Sequence, residues 1–290
     1  MALTIGIIGA GTIGAGIAHV AALHTCSVYL YDIYDDVVKR SVERINAEFQ
    51  KSVDKNKFTA EEMAAAISRI KPRTQIGDLD VCDIIIEAVI EDVRVKKDLF
   101  KKLDTIAHHS TILATNTSSI SVTSIASVTK KPERVVGMHF FHPVHTMKLV
   151  EVVSGEHTSS EVLQRTLDAA RKLGKTPVLA KDTPGFIVNR IARPFYGEAL
   201  RLLDEGVASF EEIDRIVKRS GGFKSGPFET MDATGIDDNF AVTQSMYEQC
   251  FHEPRFRPHR IQKQMVESGK LGKKTKKGFY DYSEENKKPF

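Results

Sequence analysis

The sequence predicts an α/β protein: a mainly parallel sheet domain followed by an all-helical C-terminal domain. Three observations carry this. Up to about residue 183, short apolar runs alternate with stretches whose apolar residues recur at helical spacing, the pattern of βαβ units. The first run passes directly into a glycine-rich turn. After Pro184 the strand signal disappears until a short GFYDY near the C-terminus. The expected domains are residues 1–184 and 185–290.

In order, the predicted strands are TIGIIG, SVYLYD, DIIIEAV, TILATN, RVVGMHF, KLVEVV and TPVLA. Between them, helices are predicted over residues 35–50, 59–70, 93–107 and 159–173. The second domain should hold helices over 186–203 (kinked at Pro194), 210–218, 237–251 and 260–268, separated by turns containing Gly or Pro.

Composition excludes several function classes. A formal charge of +3 on 290 residues, with basic and acidic residues interspersed, argues against a nucleic-acid or membrane-surface binder. No apolar run approaches ~18 residues, so no membrane span is expected. Cys26, Cys82 and Cys250 are far apart and show no metal-like spacing. They read as unpaired thiols of a reducing compartment. The chain opens on a strand, without a leader-like segment, and a cytosolic location is expected.

In GAGTIGAG, Gly9, Gly11 and Gly14 have GxGxxG spacing, with a buried strand before and an amphipathic helix after. Asp32 closes the next strand, 18 residues beyond Gly14. Glycines let the backbone approach a pyrophosphate, the helix N-terminus favours its charge, and the acid accepts from ribose hydroxyls. This is the Rossmann-type fingerprint. Asp32 would repel a 2′-phosphate and Ile33 follows it rather than arginine, so NAD is favoured over NADP; FAD is a lesser alternative.

Further on, GMHFFHPVHTMKLVEVV holds His139, His142 and His145, then Glu151 inside an apolar run. A buried carboxylate needs a partner. Taken alone, His139 reads as a satisfied core histidine and Ser118 as a helix N-cap. Asn189 reads as an interdomain hydrogen-bonding group, and Glu91 with Lys96 as a charged helix start. Lys51, Lys55 and Lys57 form a basic helix face that water alone would explain.

With GAGTIGAG, EAVIED, ATNTSSIS, GMHFF-P, KLVEVV, DTPGFIVNR and GKKTKKGFYDY in this order, the chain resembles the L-3-hydroxyacyl-CoA dehydrogenase family over residues 6–282. It is most similar to the stand-alone bacterial members. The resemblance implies NAD-dependent reversible oxidation of an L-3-hydroxyacyl-CoA, of short chain such as 3-hydroxybutyryl-CoA. It makes His139 the acid/base and Glu151 the carboxylate that orients it. Ser118 and Asn189 become hydrogen-bonding partners of the substrate. Glu91 and Lys96 fall at the nicotinamide ribose side of NAD, and Lys51 and Lys55 near the coenzyme A phosphates. It also implies dimerisation through the C-terminal domain, and no catalytic metal is needed.

Two departures stand out. The family pattern HFFNP reads HFFHP here, placing His142 beside the cofactor and active site, while His145 in the following loop should face solvent. GGFKSGP places Lys224 where the family favours an apolar residue, either at the acyl or pantetheine region or facing water. Two rival readings have different chemistry. One is an NAD-dependent dehydrogenase of a free hydroxy acid, of sugar-acid or carnitine type. The other is a non-catalytic NAD-binding or crystallin-like protein.

Overall fold

A computed structural model describes residues 3–283. The chain divides into two compact units, one ending at Phe186 and the other beginning at Ile187. The first contains β1 (Thr4–Ile8), α1 (Thr12–Leu23), β2 (Ser27–Tyr31), α2 (Asp35–Asp54), α3 (Ala60–Ser68) and β3 (Ile70–Arg73). It continues through β4 (Ile84–Glu87), α4 (Val93–Ile106), β5 (Ile112–Thr115), α5 (Val122–Ala126), β6 (Val135–Phe140), β7 (Leu149–Ser154), α6 (Ser160–Lys172) and β8 (Thr176–Lys181).

These strands form one eight-stranded sheet in the order β3-β2-β1-β4-β5-β6-β7-β8. All neighbours are parallel except β6 and β7. The central strands are buried on both faces, which is why TIGII, IIIE and VVGMHF read as unbroken apolar runs. Strand order reverses between β1 and β4. At the carboxyl ends of those strands a doubly wound sheet opens a crevice for ligands.

The edge strand β3 (IKPR) has no counterpart among the predicted strands. It contains Pro72, which forfeits a ladder donor and is tolerated at a sheet edge. Its fold-specific contacts come from elsewhere: the Arg73 guanidinium lies 4.4 Å from the Tyr29 ring centre. The short α5 also escapes the periodicity reading, being five residues long. It is set by Asp182, whose carboxylate accepts from the Ser121 and Thr123 hydroxyls and the backbone N–H groups of Val122 and Thr123.

The second unit contains α7 (Val188–Asp204), α8 (Phe210–Gly221), α9 (Pro227–Thr234), α10 (Ile236–Gln249) and α11 (Arg260–Glu267). Phe228, Met231 and Ile236, all 0% exposed, centre its core, with Phe210, Phe279 and Tyr280 packed around them. Helix α9 has Pro227 at its start, which hides it behind a turn signal in the sequence.

The expected terminal strand is corrected. GFYDY forms no named strand and enters only one isolated bridge, Asp281 with Lys277. Its donors go to carboxylates instead of a ladder. Asp232 accepts from the N–H groups of Phe279 (3.0 Å) and Tyr280 (2.9 Å) and from the Tyr282 hydroxyl. Asp214 accepts from the Tyr280 hydroxyl at 2.9 Å. Among the described residues no helix is long and apolar enough to cross a membrane. Cys26 and Cys82 are buried core residues, and burial pushes the Cys82 thiol up to about 12.

Candidate active site

The turn after β1 is built by glycine at three positions for three different reasons. Gly9 has φ +98°, and a Cβ there would lie 2.5 Å from the Ala88 carbonyl oxygen, so the β1 and β4 exits can touch only through glycine. A Cβ on Gly14 would fall 1.8 Å from the Gly9 oxygen, which makes it the contact between helix and turn. Gly11 differs: its φ is −67° and a Cβ would meet nothing within 4 Å. Neither strain nor crowding within the chain requires glycine there. What it leaves free is space at the N-terminus of α1, where unpaired N–H groups and the helix dipole favour phosphate.

Asp32, at the end of β2, accepts from the Ala10 N–H at 2.8 Å through one oxygen and from the Tyr34 N–H at 3.2 Å through the other. It is thereby held over the glycine turn with lone pairs to spare for ribose hydroxyls. Exposed Ile33 and Tyr34 lie beside it, apolar surface suited to an adenine ring. These residues fit a dinucleotide: Gly9, Gly11 and Gly14 would hold the pyrophosphate and Asp32 the adenosine ribose.

His139 on β6 and Glu151 on β7 are directly opposed in the antiparallel pair. Opposed residues on one face bring their Cβ atoms to about 5 Å, and here the His139 Nδ1 donates to Glu151 Oε2 at 2.7 Å. The two are 6% and 1% exposed. Phe141 and Phe186 rings stand 4.5 and 5.9 Å from the imidazole and keep bulk water off it. An ionised carboxylate only accepts, so Nδ1 carries the proton and Nε2 presents a lone pair.

Glu91 and Lys96 belong to a second buried polar cluster. Glu87, ending β4 at 0% exposure, accepts from Lys96 Nζ at 2.5 Å, from Thr115 Oγ1 at 2.7 Å and from the Val89 N–H at 2.8 Å. Lys96 also lies 3.2 Å from Glu91 Oε2. Glu91 Oε1 takes the Thr117 hydroxyl (2.6 Å) and the Ser118 N–H (2.9 Å). Burial opposes ionisation of Glu91, but Lys96 and the Thr117 and Ser118 donors together hold its carboxyl below the usual range.

Lys96, 1% exposed, is enclosed between Glu87 and Glu91 as their counter-ion. Ser118 is not a helix N-cap, a place taken by Ser121 before α5. Lying three residues beyond the end of β5, it donates to Glu91 Oε1 through both its N–H (2.9 Å) and its hydroxyl (3.4 Å).

The expected lysine face also changes. Lys51 lies in the last turn of α2, paired with Glu48 at 2.7 Å, Lys55 is the helix C-cap, and Lys57 lies past the helix end in a turn. Asn189 lies in the first turn of α7, in the second unit. Lys224 is exposed.

Two features were not foreseen. Glu87 and Thr115 are the hub of the polar cluster; the clue was a carboxylate in an otherwise apolar strand, as with Glu151. His19, on α1 and 6% exposed, stacks on His145 with ring centres 5.7 Å apart and contacts Phe49. With His142, Arg44 and Glu48 these rings line a cavity of about 140 Å³. His145, expected to be incidental, is thus part of a cluster, although exposed. Burial, then His145 and Arg44, lower the His142 pKa. The loop carrying both histidines is fixed by Val144 against Gly16 and by Lys175 Nζ, which donates to the Val144 and Met147 carbonyls.

Burial and the neighbouring His145 hold the His19 pKa down at about 4, against the partial opposition of Glu48. The unfolded chain therefore binds a proton at His19 that the folded chain refuses. Its share of stability is intact above pH ~6.5 and is lost as pH falls toward 4. We expect about 2–3 kcal/mol of acid destabilisation from this site. Urea unfolding at pH 7.5, 5.5 and 4.5 should show a flatter profile for His19→Gln; a profile parallel to wild type would count against the assignment.

Comparison with known proteins follows the same lines. Residues 4–183 match the family model described as 3-hydroxyacyl-CoA dehydrogenase, NAD binding domain, and residues 185–282 match its C-terminal domain model. A 3-hydroxyadipyl-CoA dehydrogenase of Escherichia coli K12 is 46% identical over 97% of this chain, which spans 59% of that relative's length. A 3-hydroxybutyryl-CoA dehydrogenase of Clostridioides difficile is 39% identical over 97% of this chain and 100% of its own. The crystal structure of (S)-3-hydroxybutyryl-CoA dehydrogenase from Ralstonia eutropha superimposes with a TM-score of 0.93 at 40% identity, covering 98% of this chain and 100% of that one.

Proposed function

The chain belongs to the 3-hydroxyacyl-CoA dehydrogenase family, and from that premise we propose that it oxidises L-3-hydroxyacyl-CoA reversibly to 3-oxoacyl-CoA with NAD. The observation that carries this is the buried His139–Glu151 pair, with Nε2 left as the base. NAD, when bound, supplies the hydride acceptor. His139 Nε2 takes the hydroxyl proton as the C3–H bond breaks, which is general-base catalysis. Glu151 fixes the tautomer and stabilises the imidazolium. The Ser118 hydroxyl and the Asn189 amide donate to the substrate oxygen, where negative charge develops in the reverse reaction. Glu91, held by Lys96, faces the nicotinamide ribose, and Lys51 and Lys55 attract the coenzyme A phosphates. His142 stands beside the nicotinamide end. The helical unit serves as the dimerisation surface, and the enzyme works in the cytosol.

A dehydrogenase of free hydroxy acids would have less use for basic residues at the end of α2. A binding protein would have no use for an imidazole held in one tautomer. The test is NADH consumption with acetoacetyl-CoA, compared with NADPH and with free 3-oxo acids. Turnover restricted to the CoA ester with NADH is the expected outcome. Turnover of free acids alone would move the substrate class, and NAD binding without turnover of either would remove the enzyme reading.

A further inference from the structure

Three histidines converge on one cavity of the first unit, between α1, α2 and the loop that joins β6 to β7. Helix α1 contributes Thr12 and buried His19, α2 contributes Arg44 and Glu48, and the loop contributes His142 and His145. At about 140 Å³ the cavity has room for several waters, and so for one tetrahedral oxyanion.

Charge around this cavity does not balance. Glu48, the one carboxylate lining it, is already held by Lys51 at 2.7 Å. Among the described residues no carboxylate lies within ion-pair distance of Arg44, whose Nη2 donates to the Gly11 carbonyl at 2.9 Å, or of Lys175, which donates to the Val144 and Met147 carbonyls behind the loop. Two cations and three imidazoles thus adjoin a single carboxylate that is matched elsewhere. After burial, repulsion from His145 is what most disfavours the protonated rings of His19 and His142. Lys175 adds to it at the first and Arg44 at the second.

An anion in the cavity turns that repulsion into attraction. A metal ion would add to it, and among the described residues no three His, Cys, Asp or Glu side chains are placed to hold one. The surroundings favour phosphate over other anions. Thr12 opens α1, whose first N–H groups suit an oxyanion, and a guanidinium binds phosphate through paired donors. Arg44, Glu48 and Lys51 follow one another down one face of α2, so the cavity lies between the glycine turn and the lysines at the end of that helix.

We propose that this cavity binds a phosphate group, held by Arg44 at any pH and by His142 and His145 when their rings are protonated, so that affinity strengthens as pH falls. A bound anion favours the protonated rings, so binding is strongest at low pH and fades as pH rises through the neutral range. The site lies wholly in the first unit. Only the source of the phosphate, coenzyme A or free phosphate, rests on the proposed function.

Sulfate is the probe, because it stays a tetrahedral dianion from pH 6 to 8 and any pH dependence then belongs to the protein. Titrated calorimetrically into the full chain at pH 6.0 and 8.0, it should bind about tenfold tighter at the lower pH, the scale of a charge-assisted hydrogen bond. Arg44→Gln should weaken binding at both pH values and keep the pH dependence, whereas His142→Gln/His145→Gln should remove it. All three side chains are exposed, so these changes leave the core intact. Equal affinity at the two pH values, or no saturable binding by millimolar sulfate, overturns the proposal. So does a pH dependence that survives the double variant, which would place the anion at the glycine turn. Competition names the source. Sulfate that raises the KM of acetoacetyl-CoA but not of acetoacetyl-pantetheine stands in for a coenzyme A phosphate; sulfate that affects neither stands in for free phosphate. Absence of all turnover would remove the dehydrogenase reading and leave the sulfate result standing.

Discussion

His139→Gln should lower kcat by about 10²–10⁴-fold while NAD affinity stays within a few-fold of wild type. Glutamine keeps a polar group of similar reach but has no basic nitrogen to take the hydroxyl proton. Glu151→Gln should cost less than His139→Gln, because an amide can still accept from Nδ1 but cannot stabilise an imidazolium. Its signature is in the pH profile: the limb belonging to the base should shift to lower pH, since loss of the carboxylate disfavours the protonated ring. Steady-state rates between pH 5 and 9, with binding of NADH followed by fluorescence, read both effects. A His139→Gln enzyme within fivefold of wild type would sink the assignment. So would a Glu151→Gln profile whose limb moved upward.

The largest stability effect is expected at Lys96. Lys96→Met removes the cation facing Glu87, which is 0% exposed and 2.5 Å from the ammonium nitrogen. Breaking a buried pair from one side leaves an uncompensated charge, at a cost of about 3–5 kcal/mol. Replacing both partners should do less harm, so Glu87→Gln/Lys96→Met should be the more stable variant. Urea unfolding of the two variants beside wild type gives the comparison directly. The single variant has a second consequence, since Lys96 also holds Glu91, and Glu91 fixes the backbone of Ser118. Activity of the fraction still folded should fall as well. If Lys96→Met unfolds like wild type, the pair is not bearing on the fold.

Much of the first unit was legible because parallel strands are covered on both faces and must be apolar throughout. The glycine turn and Asp32 are contiguous in sequence with the elements they serve, so spacing sufficed to place them. Glu151 was legible for a different reason, a carboxylate inside KLVEVV that demanded a partner. The same reasoning applied to the acid ending DIIIE would have found Glu87, and through it the enclosed state of Lys96. What sequence could not give was pairing set by tertiary contact. Strand β3 is polar and broken by Pro72, so only its place beside β2 defines it. The GFYDY segment has strand-like residues, but two carboxylates over 45 residues earlier in the chain take its donors. His19 looked like any residue of a small-residue helix until the loop bearing His145 folded over it.

The antiparallel pairing of β6 with β7 separates two kinds of change that evolution or a designer could make. His139 and Glu151 meet through ladder register, which strand residues set and which the connecting loop does not enter. The stretch between them is anchored at Val144, by Gly16 and Lys175, and at the Met147 carbonyl. Substitutions at His142, His145 and Thr146 can therefore accumulate while the His139–Glu151 pair keeps its geometry. The pair is encoded in the sheet and its surroundings in an exchangeable cassette, which gives the HFFHP departure a route by which it could arise without disturbing that pair.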